Sequence, residues 1–455
     1  MTHRTRWIAI VAGLLLIGAC SSTGRDTASS ATPTTPGSPP MNMTTPVPAR
    51  MPAGPVCVPR EKSSACLPIA PSSQRVDLAR PTFNNPTAIT NPLHPSSTID
   101  QVIYGGHVDG EPFRTEFTRI PGVKKISWQG QQIDAVIWQY LAFSGGRIEE
   151  VALDWFAQAD DGSVWYLGED VFNYADGVVE DTGGTWLAGK HGPPAMIMPA
   201  APKPGDVYRP ENAPGVVFEE VRVKAAGRTV PGPGGPVTGA IVVTELHQDG
   251  TYEDKTFAPG YGEFSTGSAS TDLEAVTLAV PTDARPGPLP ASLTGLSRAV
   301  RTAYDAVAAA RWTDARTAHR DVLAAYRPGR TLLDAQLRRD VATLGRAIAA
   351  RTTDEAREAA LRVAQDELDL RLRYLPLATV ERARFELWRR QTAVDARHQD
   401  AAAVAGDVAT LRWTWDRLRG SADAPTARRI DTELRAAARA DLPTAARIVE
   451  VMRWS

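Results

Sequence analysis

The chain has 455 residues, room for two or three domains, with 43% hydrophobic and 22% charged residues and a formal charge of −2. That balance excludes a wholly disordered chain, a strongly basic nucleic-acid binder and a polyacid. Three cysteines exclude a disulfide-dense scaffold and a four-cysteine zinc site.

The charge is spread unevenly. Residues 291–455 hold 29 Arg, no Lys and 22 acids, so this part stands at +7 and the remainder at −9. Both signs are interspersed along the C-terminal stretch. The reading is therefore two domains whose fields attract, rather than a basic face turned to anionic lipid or polymer.

The chain starts with an address. Arg4 and Arg6 precede an apolar run from Trp7 to Ile17, too short for a bilayer span of about 20 residues. A basic start with a short apolar core reads as a secretory signal peptide, residues 1–19. Its end, Leu16-Ile17-Gly18-Ala19-Cys20, resembles the lipobox of bacterial lipoproteins of the actinobacterial type. The resemblance implies a diacylglyceryl group on Cys20, cleavage before it, and anchoring on the outer face of the cell membrane. Two acyl chains hold a protein firmly without any transmembrane helix.

Residues 20–81 read as a tether. Residues 21–79 contain 11 prolines, many Ser and Thr, and little apolar periodicity, so the segment buries too little surface to order itself. Met41, Met43 and Met51 lack the interleaved histidines of a soft-metal site. Cys57 and Cys66, close together in an exported chain, are expected to form a disulfide.

Residues 82–283 alternate apolar and polar positions. Asp-Gly pairs at 109–110, 161–162, 176–177 and 249–250 punctuate them. Asp-Gly between alternating runs signals a hairpin. Strands are predicted over 111–118, 125–128, 135–144, 147–157, 164–172, 216–225, 240–247, 252–257 and 273–280. Short connections make the pairing antiparallel, a meander curling into an open barrel or a sandwich. Segments such as Glu150-Val151-Ala152-Leu153-Asp154-Trp155, Gly168-Glu169-Asp170-Val171-Phe172-Asn173-Tyr174 and Phe257-Ala258-Pro259-Gly260-Tyr261-Gly262 resemble a functionally uncharacterised domain of bacterial secreted proteins and lipoproteins. That resemblance implies export and a β-rich fold, and transfers no catalytic residue.

A proline-rich joint, 284–291, leads to an Ala- and Arg-rich region, 292–455. Leu333, Leu337, Val341, Leu344 and Ile348 draw one apolar stripe; Leu361 to Leu375 and Val404 to Leu418 draw others. Ala-Arg recurs at 310–311, 350–351, 396–397 and 438–439, each followed by an Asp (314, 354, 400 and 441). This predicts four helical hairpins, about eight helices, stacked as a repeat or gathered as a bundle. The intervals exceed the tetratricopeptide period, and that family is not assigned. The fold class is thus α+β and multidomain.

Motifs of chemistry are sparse. There is no His-Glu-x-x-His, Cys-x-x-Cys or Gly-x-Ser-x-Gly. A partial phosphate loop ending at Lys190-His191 lacks the Ser or Thr for magnesium and runs into Pro193-Pro194. The richest constellation is the strand 164–172, where period two places Glu169 with Trp165 and Leu167, and Asp170 with Tyr166 and Phe172. Asp154 stands beside Trp155 on the neighbouring strand. Trp155, Trp165, Tyr166, Glu169, Asp170 and Trp186 are the candidate binding cleft; core packing is the plainer reading of the aromatics. No catalytic residue, metal or cofactor is assigned. The function expected is a non-catalytic lipoprotein that binds a ligand in its β-domain and a protein partner on its helices. One alternative is an envelope hydrolase using Glu169 or Asp170 as acid/base. Another is metal or haem handling by the helical part through His319, His398 or Met452.

Overall fold

Asp-Gly turns set the register of the first half. At Asp109-Gly110 and Asp176-Gly177 both residues take positive φ, the geometry a two-residue hairpin needs. The computed structural model describes residues 50–452 except Pro52, Ala269, Thr271, Arg327 and Pro328. The signal segment, Cys20, Met41 and Met43 lie outside the described residues.

Fourteen strands form one antiparallel sheet. The first meander is β1 (Gln101–Val108), β2 (Glu111–Trp128), β3 (Gln131–Ser144), β4 (Arg147–Gln158), β5 (Val164–Ala175) and β6 (Val178–Asp181). The short β7 (Trp186–Leu187) and β8 (Ala195–Met198) also pair with β5. The second meander is β9 (Val207–Ala213), β10 (Val217–Gly232), β11 (Gly235–His247), β12 (Tyr252–Ala258), β13 (Gly262–Gly267) and β14 (Leu273–Val280). Pairing of β1 with β14 joins the two halves. The sheet curls until β9 stands beside β5 and β8, where Glu211 meets Glu169. It is an open barrel with one seam.

Six strands escaped the sequence pattern: β1, β6, β7, β8, β9 and β13. Gly105-Gly106 interrupts the alternation of β1, and β13 is mostly Gly, Ser and Thr. What the pattern split into 111–118 and 125–128 is one strand, β2, bulged between Ile120 and Val123 around Pro121-Gly122.

Eight α-helices follow among the described residues: α1 (Ala291–Ala308), α2 (Trp312–Ala325), α3 (Leu332–Ala350), α4 (Thr353–Arg371), α5 (Leu377–Arg397), α6 (Ala401–Leu418), α7 (Ala424–Ala437) and α8 (Leu442–Val451). They form four hairpins. Each recurrent Ala-Arg falls at the bend inside a hairpin, where Ala310, Arg351 and Gln399 take positive φ. Asp400 and Asp441 then cap α6 and α8, accepting from the N–H groups of Ala403 and Thr444. Successive hairpins pack through α1–α4, α4–α5 and α5–α8.

The helices dock on the outer face of the sheet. Leu141, Phe143, Ile148 and Val151 share a core with Phe385, Trp388, Val404 and Val408, and Phe143 stacks on Trp388 at 5.2 Å. Charge locks the same face. Arg384 of α5, fully buried, reaches Asp369 at 2.6 Å, Glu381 at 2.5 Å and Gln101 of β1 at 2.8 Å. Arg417 of α6 reaches Glu116 of β2 at 2.6 Å and Glu381 at 3.0 Å. Arg114 of β2 bridges Glu116 and Asp369. Three guanidinium groups thus meet three carboxylates, and one face of the helical stack is already covered by the chain's own sheet.

Composition assigned residues 20–81 to a loose tether, yet residues 50–81 hold to the barrel. Cys57 and Cys66 form a disulfide. Val58 and Leu67 pack on Phe218 and Leu246, and Met51 enters the main core. Buried Arg75 pairs with Asp77, which also accepts from the Arg209 backbone. These are isolated anchor points, which periodicity does not detect.

Candidate functional site

The inward face of the barrel is built from aromatics, with acids where alternation would allow apolar residues. A cavity of about 110 Å³ lies inside, walled by Tyr104, Phe117, Tyr140, Phe156, Tyr166 and Phe257. Five acids also line it: Glu150 and Asp154 from β4, Glu169 from β5, Glu263 from β13 and Glu274 from β14.

Glu169 owes its position to a bulge. Asp154 pairs with Glu169 but Phe156 pairs with Tyr166, so Trp155 faces two residues, Leu167 and Gly168. Gly168 has φ +128° and approaches the Trp186 backbone too closely for a Cβ. The extra residue shifts the parity, so Glu169 joins Tyr166 on the inner face. This corrects the strict period-two assignment, which put them on opposite faces. Asp170 remains half-buried on the other face.

Of the other cleft residues, Trp155, Trp165 and Trp186 are buried in the core and do not line the cavity. Trp165 donates to Ser163, and Trp186 stands edge-on to Tyr166 at 5.4 Å. They form the second layer of the wall.

The acids are short of counter-charge. Tyr166 donates its hydroxyl to Asp154 at 2.8 Å. Apart from the proton it shares with Glu211, neither oxygen of Glu169 has a hydrogen-bond partner among the described residues. One oxygen each of Glu211 and Glu274 is in the same condition. Burial, the repulsion of Glu211 and that of Asp154 push the Glu169 carboxyl well above its usual range. Burial does the same to Glu150 and Glu211, and lifts Asp154 to about 7 and Glu274 to about 8. Burial pulls His94, at the cavity wall, down to about 4. The chamber therefore holds protons on carboxyls and keeps its histidine neutral at pH 7.

A second polar group lies further round the barrel. Glu219, Glu245 and His247 come within metal-ligand distances of one another. Lys255 already occupies that position, 2.7 Å from Glu245 and 4.0 Å from Glu263. His247 is lifted to about 10: burial opposes its charge, but hydrogen bonds to Glu219 and Glu253 outweigh it.

Glu211, Glu219, Glu245, Glu263, Glu274 and Lys255 were not singled out by sequence. The available signal was a lone acid in an apolar strand, as Glu274 is in Leu-Glu-Ala-Val-Thr-Leu-Ala-Val.

A larger cavity, about 220 Å³, lies between β1–β3 and α3–α5. Several of its polar groups pair with one another, Arg114 with Asp369, Gln336 with Asp340 and Gln365 with Asp369, while one buried oxygen of Asp366 has no hydrogen-bond partner among the described residues. Asp366, pushed up by burial and by Asp340, shares a proton with that residue.

The helical metal candidates are engaged separately. His319 bonds the Val341 carbonyl, His398 faces Asp354 and Glu358, and Met452 is buried among α5–α8. Lys190-His191 forms a turn in which His191 accepts from Leu187 N–H. No described helix is long and apolar enough to cross a membrane. No protein-family model, curated protein or solved structure matches the chain.

Proposed function

We propose that the chain is a non-catalytic lipoprotein, moored through Cys20 on the outer face of the cell membrane, whose barrel interior encloses a small ligand. The observation that carries this is the aromatic-walled chamber lined by five acids, with oxygens of Glu169 and Glu274 left unmet. Buried polar groups are ordinarily satisfied, so unmet acceptors facing a cavity mark a place for donors from outside the chain. An engineered cavity of about 150 Å³ takes benzene, so the chamber, smaller by about a quarter, suits roughly four or five non-hydrogen atoms.

The helical hairpins serve as a buttress. Their docked face is occupied by the sheet, which leaves only the opposite face for a protein partner. A hydrolase built on Glu169 or Asp170 is less favoured: the two lie on opposite faces of β5, so the chamber holds only Glu169 of the pair.

The test is native mass spectrometry and thermal shift on the full chain. Ala152 lines the cavity, and Ala152→Leu fills it. Wild type is expected to carry or acquire a small ligand that Ala152→Leu excludes while still unfolding cooperatively. Identical ligand responses in the two proteins would remove the lumen as the site. Cys20→Ser is expected to move the protein from the detergent to the aqueous phase; retention in detergent would remove the anchor.

A further inference from the structure

We infer that the ligand of the barrel is a compact organic cation, an ammonium of about four or five non-hydrogen atoms, with Glu169 as its principal counter-charge. This rests on the lumen being a binding site, as proposed above, and names the chemistry that fits it.

Three observations converge. The first is an excess of acid over base facing one enclosed space. Glu150, Asp154, Glu169, Glu263 and Glu274 line the chamber without a single Lys or Arg among its lining residues. An anion or a neutral apolar molecule would leave Glu169 with no donor beyond the proton it shares with Glu211, and one oxygen of Glu274 buried and unmet. A cation with N–H or polarised C–H groups supplies both the charge and the donors.

The second is the spread of the acids. A metal ion needs several donors drawn to one point, within about 2.0–2.6 Å of it. Among the described residues the only compact three-ligand groups are Glu219, Glu245, His247 and Glu358, Asp395, His398. The chamber acids do not form one. They stand on opposite walls, two on β4, one on β5 and one each on β13 and β14, around aromatic faces of Tyr104, Phe117, Tyr140 and Phe156. Dispersed carboxyls and ring faces suit a diffuse charge on an apolar body, which rings attract through their quadrupole.

The third is an ammonium that the barrel already contains. Lys255 is 4% exposed and held by Glu245 and Glu263, and Glu263 also lines the chamber. Its charged form is favoured well beyond the ordinary range by Glu245, Glu263 and Glu219 against the opposition of burial. The interior potential therefore supports a desolvated ammonium at one place, and the chamber offers a second with no cation in it.

Entry of the cation must displace protons. Glu169 is faced by Glu211 from β9, by Asp154 and Glu150 from β4, and by the Tyr166 hydroxyl on its own strand. Glu169 and Glu211 together hold a proton that a bound ammonium makes unnecessary. Binding is thus an exchange, ammonium in and proton out, with charge conserved in the chamber.

The experiment is calorimetric titration of the detergent-solubilised full chain with n-butylammonium, tetramethylammonium, neutral n-butanol and calcium ion, at pH 5.5 and pH 8. Repeating it in buffers of different ionisation enthalpy counts the protons released. The expected result is binding of both ammonium probes at least tenfold tighter than n-butanol and tighter at pH 8, with proton release and no competition from calcium. Glu169→Gln and, separately, Glu274→Gln are expected to weaken ammonium binding at least tenfold without lowering the unfolding temperature. Equal binding of n-butanol and n-butylammonium, both lost in Ala152→Leu, would overturn the cation and leave the lumen site standing. Binding of any probe that Ala152→Leu does not alter would overturn the lumen itself. So would the failure of every probe to bind while Ala152→Leu is indistinguishable from wild type. Displacement of n-butylammonium by calcium would replace the organic cation by a metal ion.

Discussion

Two of the places where the molecule buries acids treat them in opposite ways. At the interface between sheet and helices, Glu116, Asp369 and Glu381 are matched by Arg114, Arg384 and Arg417. Inside the barrel, Glu150, Asp154, Glu169, Glu211 and Glu274 are equally buried with few or no cations of their own. Burial acts on both groups alike. At the interface the three guanidinium groups overcome it and hold Glu116 far below the usual range. At Glu169 and Glu211 nothing overcomes it, and the carboxyls rise. The lesson is that burial does not decide what an acid is for. Matched charge fixes two layers together permanently, whereas unmatched charge leaves a site that something from outside can complete.

The sharpest way to break this comparison is to remove one charge from each place. Arg384→Met leaves two guanidinium groups for three buried carboxylates, a loss expected to cost about 3–5 kcal/mol. Glu169→Gln removes a proton-sharing partner of Glu211 without creating a buried charge, and should stay within about 1 kcal/mol of wild type at pH 7. Urea denaturation of the full-length protein measures both. A mild Arg384→Met or a severely destabilised Glu169→Gln would mean that the two places are alike after all.

The pH dependence separates them next. Glu116 has a depressed value in the folded state. Its stabilisation is present above the unfolded value, about 4.3, and is lost as pH falls below it. The barrel acids are raised: Asp154 and Glu245 to about 7, Glu274 to about 8. Between about pH 4 and these values the folded protein holds protons that the unfolded chain releases, so stability falls as pH rises. His247, raised to about 10, adds stability that is complete below about 6.5 and fades towards 10. The unfolding free energy is therefore expected to peak near pH 5 and decline through pH 8. Glu169→Gln should decline less steeply, by up to about 1.4 kcal/mol per pH unit. A flat wild-type profile from pH 5 to 8 would show that the chamber acids are already charged and matched.

Much of the fold could be read from residue patterns. The Asp-Gly pairs placed hairpins because their geometry is local, and Ala-Arg followed by Asp marked the four helical bends, two of them capped by Asp400 and Asp441, because such turns are local too. The barrel's closure and the docking were harder. They depend on contacts such as Glu169 with Glu211 or Arg384 with Glu116, between residues 42 and 268 positions apart in sequence. The site was half legible. Tyr166 and Glu169 do line the chamber, but the bulge at Leu167-Gly168 reversed the expected facing. A bulge depends on how two strands meet, here through the close approach of Trp186 to Gly168, and one strand's alternation carries no trace of it. Trp155, Trp165 and Trp186 were noticed for their size, and size placed them in the core.

The finest contrast lies within β2, where Thr115 and Thr118 stand three residues apart on opposite faces. Thr118 looks to the helices and accepts from Gln101 at 2.7 Å and from Arg417 at 3.0 Å. Thr115 is buried on the barrel side, where its hydroxyl faces the Glu274 carboxyl. Valine keeps the shape of threonine and removes only the hydroxyl. Thr118→Val strips an acceptor from a charged donor and is expected to cost about 1–2 kcal/mol. Thr115→Val removes a hydroxyl that meets a carboxyl already pushed towards its neutral form, and should cost less, about 0.5–1 kcal/mol. Because the residue type, strand and burial are the same, the difference between the two unfolding free energies measures how far each face demands polar matching. Equal costs would mean that the barrel interior is as fully matched as the interface, and would remove the reason to place a ligand there.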